Sequence, residues 1–260
     1  MSEPLDLLQL SEEMLRRIAR ERLAGASLLS IFFRQATSEH FLKYLRGVDF
    51  RQDENAKALR AYRAMTAEDF EAINARQRWA NWRTLPRNLS GHVPDRPLSV
   101  IDLCCGIGHS TEVLACYLPV GSSILGLEFN PDFVRVARAR AAQYQHRSGA
   151  LIQPRFAAQS VLETFRDEGR KEVSGGSVDL VNCSGAVGVH FKPDATRVLA
   201  KEIARVLRPG GIALIDSGPR GTSTRALTEI FDGLGFKRLN AARSCFVDYS
   251  VQVCFRKEAR

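Results

Sequence analysis

The sequence predicts an α/β protein built on a mostly parallel sheet, preceded by helices. Three observations carry this expectation. Residues 99–111, S-V-I-D-L-C-C-G-I-G-H-S-T, read as a short buried strand that closes in an acid, a tight glycine turn and the start of a helix. From residue 98 onward, short apolar runs alternate with helical periodicity, the pattern of strands joined by crossover helices. Residues 1–96 carry helical periodicity and almost no strand signal.

The elements follow in order. Ser11, followed by Glu12 and Glu13, opens a helix with Met14, Leu15, Ile18 and Ala19 on one face. A second apolar stretch, 28–45, places Phe32, Phe33, Phe41, Leu42 and Leu45 at helical spacing. Thr66 and Asp69 match a capping box for a helix expected to reach residue 83. Along it Ala72, Ala75, Trp79 and Trp82 recur at intervals of three and four. Segment 86–97, with Pro86, Gly91, Pro94 and Pro97, reads as a linker. Beyond it come a strand at 100–103, a helix at 110–117 that ends before Pro119, and a strand at 123–128. Asn130, Pro131 and Asp132 supply an N-cap, a first-turn proline and a first-turn acid for a helix running to about residue 145. A strand at 152–157, a helix at 161–169 and a strand at 178–183 follow. Then come an amphipathic helix at 194–207, a strand at 212–216 and a helix at 223–234. Two extended segments, 236–247 and 249–255, close the chain as an antiparallel pair. The predicted division is a helical cap over 1–96 and a sheet domain over 97–260.

Composition narrows the function. At 260 residues, 45% apolar and 25% charged, the chain has the balance of an ordinary globular protein with a full core. Its longest early apolar run, 28–33, is far short of the roughly 20 residues a membrane span needs. The start, M-S-E-P-L-D, is acidic where a secretory signal is basic, so a cytoplasmic location and no membrane partner are expected. Six cysteines include no C-x-x-C pair and no histidines at metal spacing, so reduced thiols and no metal site are expected. A net charge of +8 permits attraction to phosphate. The basic residues are nevertheless dispersed among acids, which disfavours a nucleic-acid partner. The pair Phe32 and Phe33 offers a surface that could join two subunits.

The glycine turn is more specific than its shape. The acid Asp102 precedes the glycines, and Thr111 stands where a dinucleotide fingerprint places its third glycine, which sets a nicotinamide dehydrogenase aside. With Asp102, Cys104, Gly106 and Gly108, the stretch resembles motif I of the class I S-adenosylmethionine-dependent methyltransferases, D-x-G-x-G-x-G, with cysteine replacing the first glycine. Three later marks resemble the same family: the acid of L-G-L-E-F-N at Glu128, S-V-D-L-V at 177–181, and L-R-P-G-G at 207–211. The resemblance covers roughly 98–260. It implies a Rossmann-like, seven-stranded sheet, mostly parallel with an antiparallel C-terminal strand, and S-adenosyl-L-methionine as cofactor.

The resemblance also implies roles. Glu128 would accept both ribose hydroxyls, Asp102 would orient the amino-acid end through the turn formed by Cys104, Gly106 and Gly108, and Phe129 would lie against the adenine or in the core. Gln159, with Ser160 beside it, stands where the family often has an acid that meets the adenine amino group. Asn182 and Ser184 follow the fourth strand, where cofactor and acceptor meet; they do not form the N-P-P-Y-type tetrad of base N-methylases. His190, with an ordinary pKa near 6.5, is the candidate general base, packing of its loop being the alternative. Trp79 and Trp82 would either pack on the core or roof the acceptor, and Arg78 or Arg83 would meet the cofactor carboxylate. The expected reaction is methyl transfer to an oxygen, nitrogen or carbon of a small-molecule acceptor. A methyltransferase acting on RNA or protein and a non-catalytic cofactor-binding protein are the alternatives.

Overall fold

The computed structural model describes residues 55–244 and 248–259, together with Phe33 and Thr37. The helix expected from Ser11, most of the stretch 28–45 with Phe32, and the end of the segment 236–247 with Cys245 lie outside them. Phe33 is exposed.

Seven strands form the sheet: β1 (Ser99–Leu103), β2 (Ser123–Glu128), β3 (Arg155–Ala158), β4 (Val178–Cys183), β5 (Leu207–Ser217), β6 (Phe236–Ala242) and β7 (Val251–Lys257). They lie in the order β3-β2-β1-β4-β5-β7-β6. The first five are parallel, and β7 inserts antiparallel between β5 and β6. Alternation along each strand divides the core. Val100, Leu180, Leu214 and Cys254 face one side, while Ile101, Val181, Ile215 and Phe255 face the other.

Helices cover both faces. α1 (Asn55–Ala64), α2 (Ala67–Ile73) and α3 (Ala75–Leu89) precede the sheet; α4 (His109–Tyr117), α5 (Pro131–Ala141), α6 (Val187–His190), α7 (Pro193–Val206) and α8 (Thr224–Asp232) follow in chain order. The caps agree with the sequence: the Thr66 side chain accepts from the Asp69 N–H, and that of Asn130 from the Asp132 N–H. No helix among the described residues is long and apolar enough to cross a membrane.

Several boundaries differ for physical reasons. The helix expected from Thr66 to residue 83 breaks at Asn74 and resumes as α3, which runs past Pro86 to Leu89 into the expected linker. Pro86 removes one helical bond at a cost of about 3 kcal/mol, but burying Leu85 and Leu89 recovers roughly 1.5–3 kcal/mol apiece. No helix forms over 161–169. Its N–H groups are taken by distant acceptors: Phe165 N donates to Glu202 Oε1 at 2.7 Å and Arg166 N to Gln159 Oε1 at 3.2 Å. The helix from Pro131 ends at Ala141, short of residue 145, and β3 begins at Arg155 rather than residue 152. β5 begins at Leu207, and the expected turn at 208–211 is a bulge in it, where pairing shifts between Val178 and Leu180.

Gly108 opens α4 with φ +90°. A Cβ there would lie 2.2 Å from the Tyr144 hydroxyl, which donates to the Gly108 carbonyl at 2.8 Å. Gly108→Ala is therefore expected to cost about 3 kcal/mol from left-handed strain plus the clash. Calorimetry should show the melting temperature falling by roughly 5–10 °C.

Candidate active site

Parallel strands leave a crevice beyond their C-terminal ends, and here β1, β2 and β4 form its floor. The crevice encloses about 1060 Å³, counted to its open mouth. β1 hands the chain to the turn at Cys104, whose φ of +51° is the left-handed conformation that glycine normally supplies. Cys104 thus adopts the backbone of the glycine it replaces. Gly106 follows at φ +55°, and a Cβ there would lie 2.6 Å from the Phe70 ring.

Two buried carboxylates organise the floor differently. Asp102 accepts from Thr111 Oγ1 at 2.6 Å, Asn182 Nδ2 at 2.7 Å and Ser110 Oγ at 2.8 Å, tying β1 to α4 and β4. Burial pushes its carboxyl up to about 6, against these three bonds. It braces the turn from beneath, and Asn182 lies with it below the crevice surface. Glu128 ends β2 and lines the crevice. Its Oε2 accepts from the Gly106 N–H and its Oε1 from the Asn130 N–H, both at 3.0 Å. Burial pushes the Glu128 carboxyl up to about 7, while these backbone donors pull it down. Each oxygen keeps acceptor capacity, so the ionised group can take two adjacent hydroxyl donors.

Phe129, Gln159 and Ser160 line the side beside β2 and β3. Both polar ends of the Gln159 amide are engaged by Arg166: the oxygen accepts its N–H, and the nitrogen donates to its carbonyl. Opposite, Ser184 lines the crevice and donates to Asn182 Oδ1 at 3.0 Å. The short α6 is held by Asp216, whose carboxylate accepts the N–H groups of Ala186, Val187 and Gly188 at 2.8–3.1 Å. At its end His190 faces the crevice, with Nε2 3.1 Å from the Tyr62 hydroxyl. Burial and the nearby Arg220 charge lower His190 to about 4, so its imidazole is neutral at physiological pH.

The roof comes from α1, α2 and α3. Phe70 packs over the glycine turn and against Phe133, with centroids 4.6 Å apart. α2 is fastened through Glu71, which takes hydrogen bonds from Arg78 Nη1 (2.8 Å) and Arg140 Nη1 (3.1 Å) and lies 3.2 Å from His109 Nε2. Burial works to raise Glu71, but the His109 contact and both guanidiniums hold it at about 2. α3 turns Gln77 and Asn81 toward the crevice, with Asn74 just before it.

The structure does not bring Trp79 and Trp82 to the crevice. Trp82 is 3% exposed and packs edge-on against Tyr117 in the core, and Trp79 lies beneath the Arg83 guanidinium at 5.0 Å. Arg78 binds Glu71 and Glu112, and Arg83 donates to the Ser244 carbonyl. Tyr62, Phe70, Asn74, Gln77 and Asn81 of the roof are among the lining residues that sequence reasoning missed. The amides at 74, 77 and 81 recur at intervals of three and four, a polar stripe on the helix whose apolar stripe drew attention. Among the described residues no cluster of metal ligands occurs, and the five cysteines are free thiols.

Residues 100–211 match the methyltransferase-domain family. The chain is 31% identical over 114 residues to the demethylmenaquinone methyltransferase of Lactococcus lactis, covering 44% of this chain and 39% of that protein. It is 29% identical over 154 residues to the 2-methyl-6-phytyl-1,4-hydroquinone methyltransferase of Synechocystis, covering 57% and 40%. It therefore spans about two fifths of the length of the curated relatives it matches. In fold it is similar to a TehB-like methyltransferase of Corynebacterium glutamicum, with a TM-score of 0.50 at 18% identity over 86% of this chain and 99% of that one. A chain from the Haloferax volcanii complex of a methyltransferase with its activator Trm112 gives 0.55 at 17% identity over 75% and 99%. The glycine turn, the strand order and the matched segment agree: the chain has the class I methyltransferase fold, and residues 100–211 within it are similar to the methyltransferase-domain family.

Proposed function

We propose that the protein transfers a methyl group to a small organic acceptor, and that the crevice above β1, β2 and β4 is where it does so. The observation that carries this reading is Glu128, a buried carboxylate lining the crevice beside a turn whose Gly106 has no room for a side chain. Glu128 would hold the ribose hydroxyls of the cofactor, Phe129 and Ser160 its adenine end, and Cys104 and Ser184 its amino-acid end, with Asp102 and Asn182 fixing the turn from below. The cofactor supplies an electrophilic methyl group on a sulfonium. The chain's part is to align the acceptor in line with it and exclude water, which can account for much of the acceleration. His190, neutral and at the crevice edge, is placed to receive a proton. The helices before the sheet act as the cap.

A small acceptor is favoured over RNA or an acidic protein because, among the described residues, no lysine or arginine lines the crevice. Both relatives are named for small-molecule acceptors, which supports the same reading. Free thiols at the turn fit the reducing cytoplasm. Isothermal titration with S-adenosylhomocysteine tests the proposal: one site per chain is expected, and no heat at millimolar ligand would sink it. Methyl-labelled cofactor should then label small molecules of a cell extract; label confined to RNA or protein would transfer the reading to the alternative.

A further inference from the structure

We propose that Cys104 and Cys183 form a site of oxidative modification: a hydroperoxide joins the two thiols in a reversible disulfide, and the bridged protein binds cofactor less tightly. The thiol chemistry goes beyond the proposed function, while its effect on the cofactor rests on that reading of the crevice.

The inference starts from the residue that departs from the glycine pattern. Cys104 adopts φ +51°, a left-handed conformation that glycine enters freely and a residue with a Cβ enters only with strain. Strain of this kind collects at functional turns, where the side chain has a use. Here the side chain meets a second thiol. Leu103 is in register with Cys183 across the parallel pair of β1 and β4, so Cys104 stands one residue beyond it. A strand spacing of about 4.8 Å and a rise of about 3.3 Å put the two Cα atoms roughly 6 Å apart, inside the span of about 4.4–6.8 Å that a disulfide bridges. Cys104 packs on the half of the core that contains Cys183. The two thiols are hydrogen-bonded, and that bond, with burial, pushes the Cys183 thiol well above its ordinary value. Cys105, next in the chain, packs on the other side of the sheet and donates to the Gly106 carbonyl at 3.9 Å.

The pair is asymmetric, and the asymmetry orders the reaction. Cys104 is partly exposed and lines the crevice, whereas Cys183 is 0% exposed. A hydroperoxide therefore reaches Cys104 first. The sulfur bonds to one peroxide oxygen as the O–O bond breaks, and the other oxygen leaves with the thiol proton as water or an alcohol. Cys104 is then a sulfenic acid. The Cys183 sulfur bonds to the Cys104 sulfur, the S–O bond breaks, and the hydroxyl leaves as water with the Cys183 proton. The two sulfurs together lose two electrons, and the peroxide gains them. Closing the bond draws Cys104 toward β4, and with it the turn whose Gly106 N–H donates to Glu128. A site that grips its ligand through that backbone loses fit when the turn moves.

The test treats the reduced full-length protein, free of ligand, with equimolar hydrogen peroxide, then alkylates the remaining thiols. Two of the six thiols should be lost together, in a cross-link that fragment masses assign to 104 and 183 and that dithiothreitol reverses. Cys183→Ser should stop at a sulfenic acid on Cys104, trapped by dimedone. Cys104→Gly should leave Cys183 unoxidised, and serves if Cys183→Ser does not fold. The bridged protein should bind S-adenosylhomocysteine about tenfold more weakly, recovering on reduction. By linkage, saturating S-adenosylhomocysteine should lower the ratio of disulfide to dithiol about tenfold in a fixed glutathione buffer. No cross-link, a cross-link between other cysteines or between chains, or equal affinity of the reduced and bridged forms would each overturn the proposal. Failure of the reduced protein to bind S-adenosylhomocysteine would instead overturn the parent reading and the coupling to it, and the cross-link would still decide the thiol chemistry.

Discussion

Glu128→Gln is expected to weaken S-adenosylhomocysteine binding about a hundredfold. Two hydroxyl donors would exchange a carboxylate for an amide, and hydrogen bonds to a charged acceptor are worth roughly 1.5–3 kcal/mol each. The amide NH₂ must also face the N–H of either Gly106 or Asn130, both of which now donate to the carboxylate. The loss corresponds to about 3 kcal/mol. The same residue makes binding depend on pH. With the Glu128 carboxyl raised by burial to about 7, affinity should fall below pH 7 by at most tenfold per unit and level off above it. Stability of the ligand-free protein runs the other way. A carboxyl raised in the fold contributes stability that is complete below its unfolded pKa of 4.5 and is lost as pH rises through 7, on the order of 3 kcal/mol in all. Asp102, raised by burial to about 6, adds to the same trend. Melting curves from pH 4 to 8, with and without ligand, should show the ligand-induced shift growing with pH. A flat shift would refute the assignment of Glu128 to the ribose.

Asp216→Ala is the second large effect, and it acts on the fold of the site. Three N–H groups at 186–188 converge on this carboxylate, and deleting it strands all three in the interior. At 1–3 kcal/mol for each unsatisfied group, about 4 kcal/mol is expected, a fall in melting temperature on the order of 10 °C. α6 would lose its anchor, and the His190–Tyr62 contact with it. The imidazole resonances of His190, followed by nuclear magnetic resonance, should then titrate nearer the ordinary value of 6.5. An unmoved titration would show that the helix is held by packing alone.

The sheet was legible because parallel strands are buried on both faces and stand out as apolar runs: β2 and β4 lie where the sequence places them. The turn was legible because an acid followed by glycines leaves few interpretations. What could not be read is what depends on contacts between distant segments. Residues 161–169 carry helical composition, yet Glu202 and Gln159 capture their N–H groups. The roof failed for a related reason. Amphipathic reasoning looks for the apolar side of a helix, and on α3 that side faces the core at Trp82, Leu85 and Leu89, while the polar side faces the crevice. The low basicity of His190 was equally hidden, because it comes from burial that only the assembled site creates.

The place of β7 has a consequence for how the protein is made. β6 joins the sheet only through β7, which carries Val253 and Phe255 into the interior. As the chain leaves the ribosome, the inner edge of β5 therefore stays open until this late segment arrives, and β6 has nowhere to dock. An unpaired, apolar strand edge invites adhesion to other chains. Nascent copies should thus depend on chaperones most during that interval, after the crevice-forming strands have emerged.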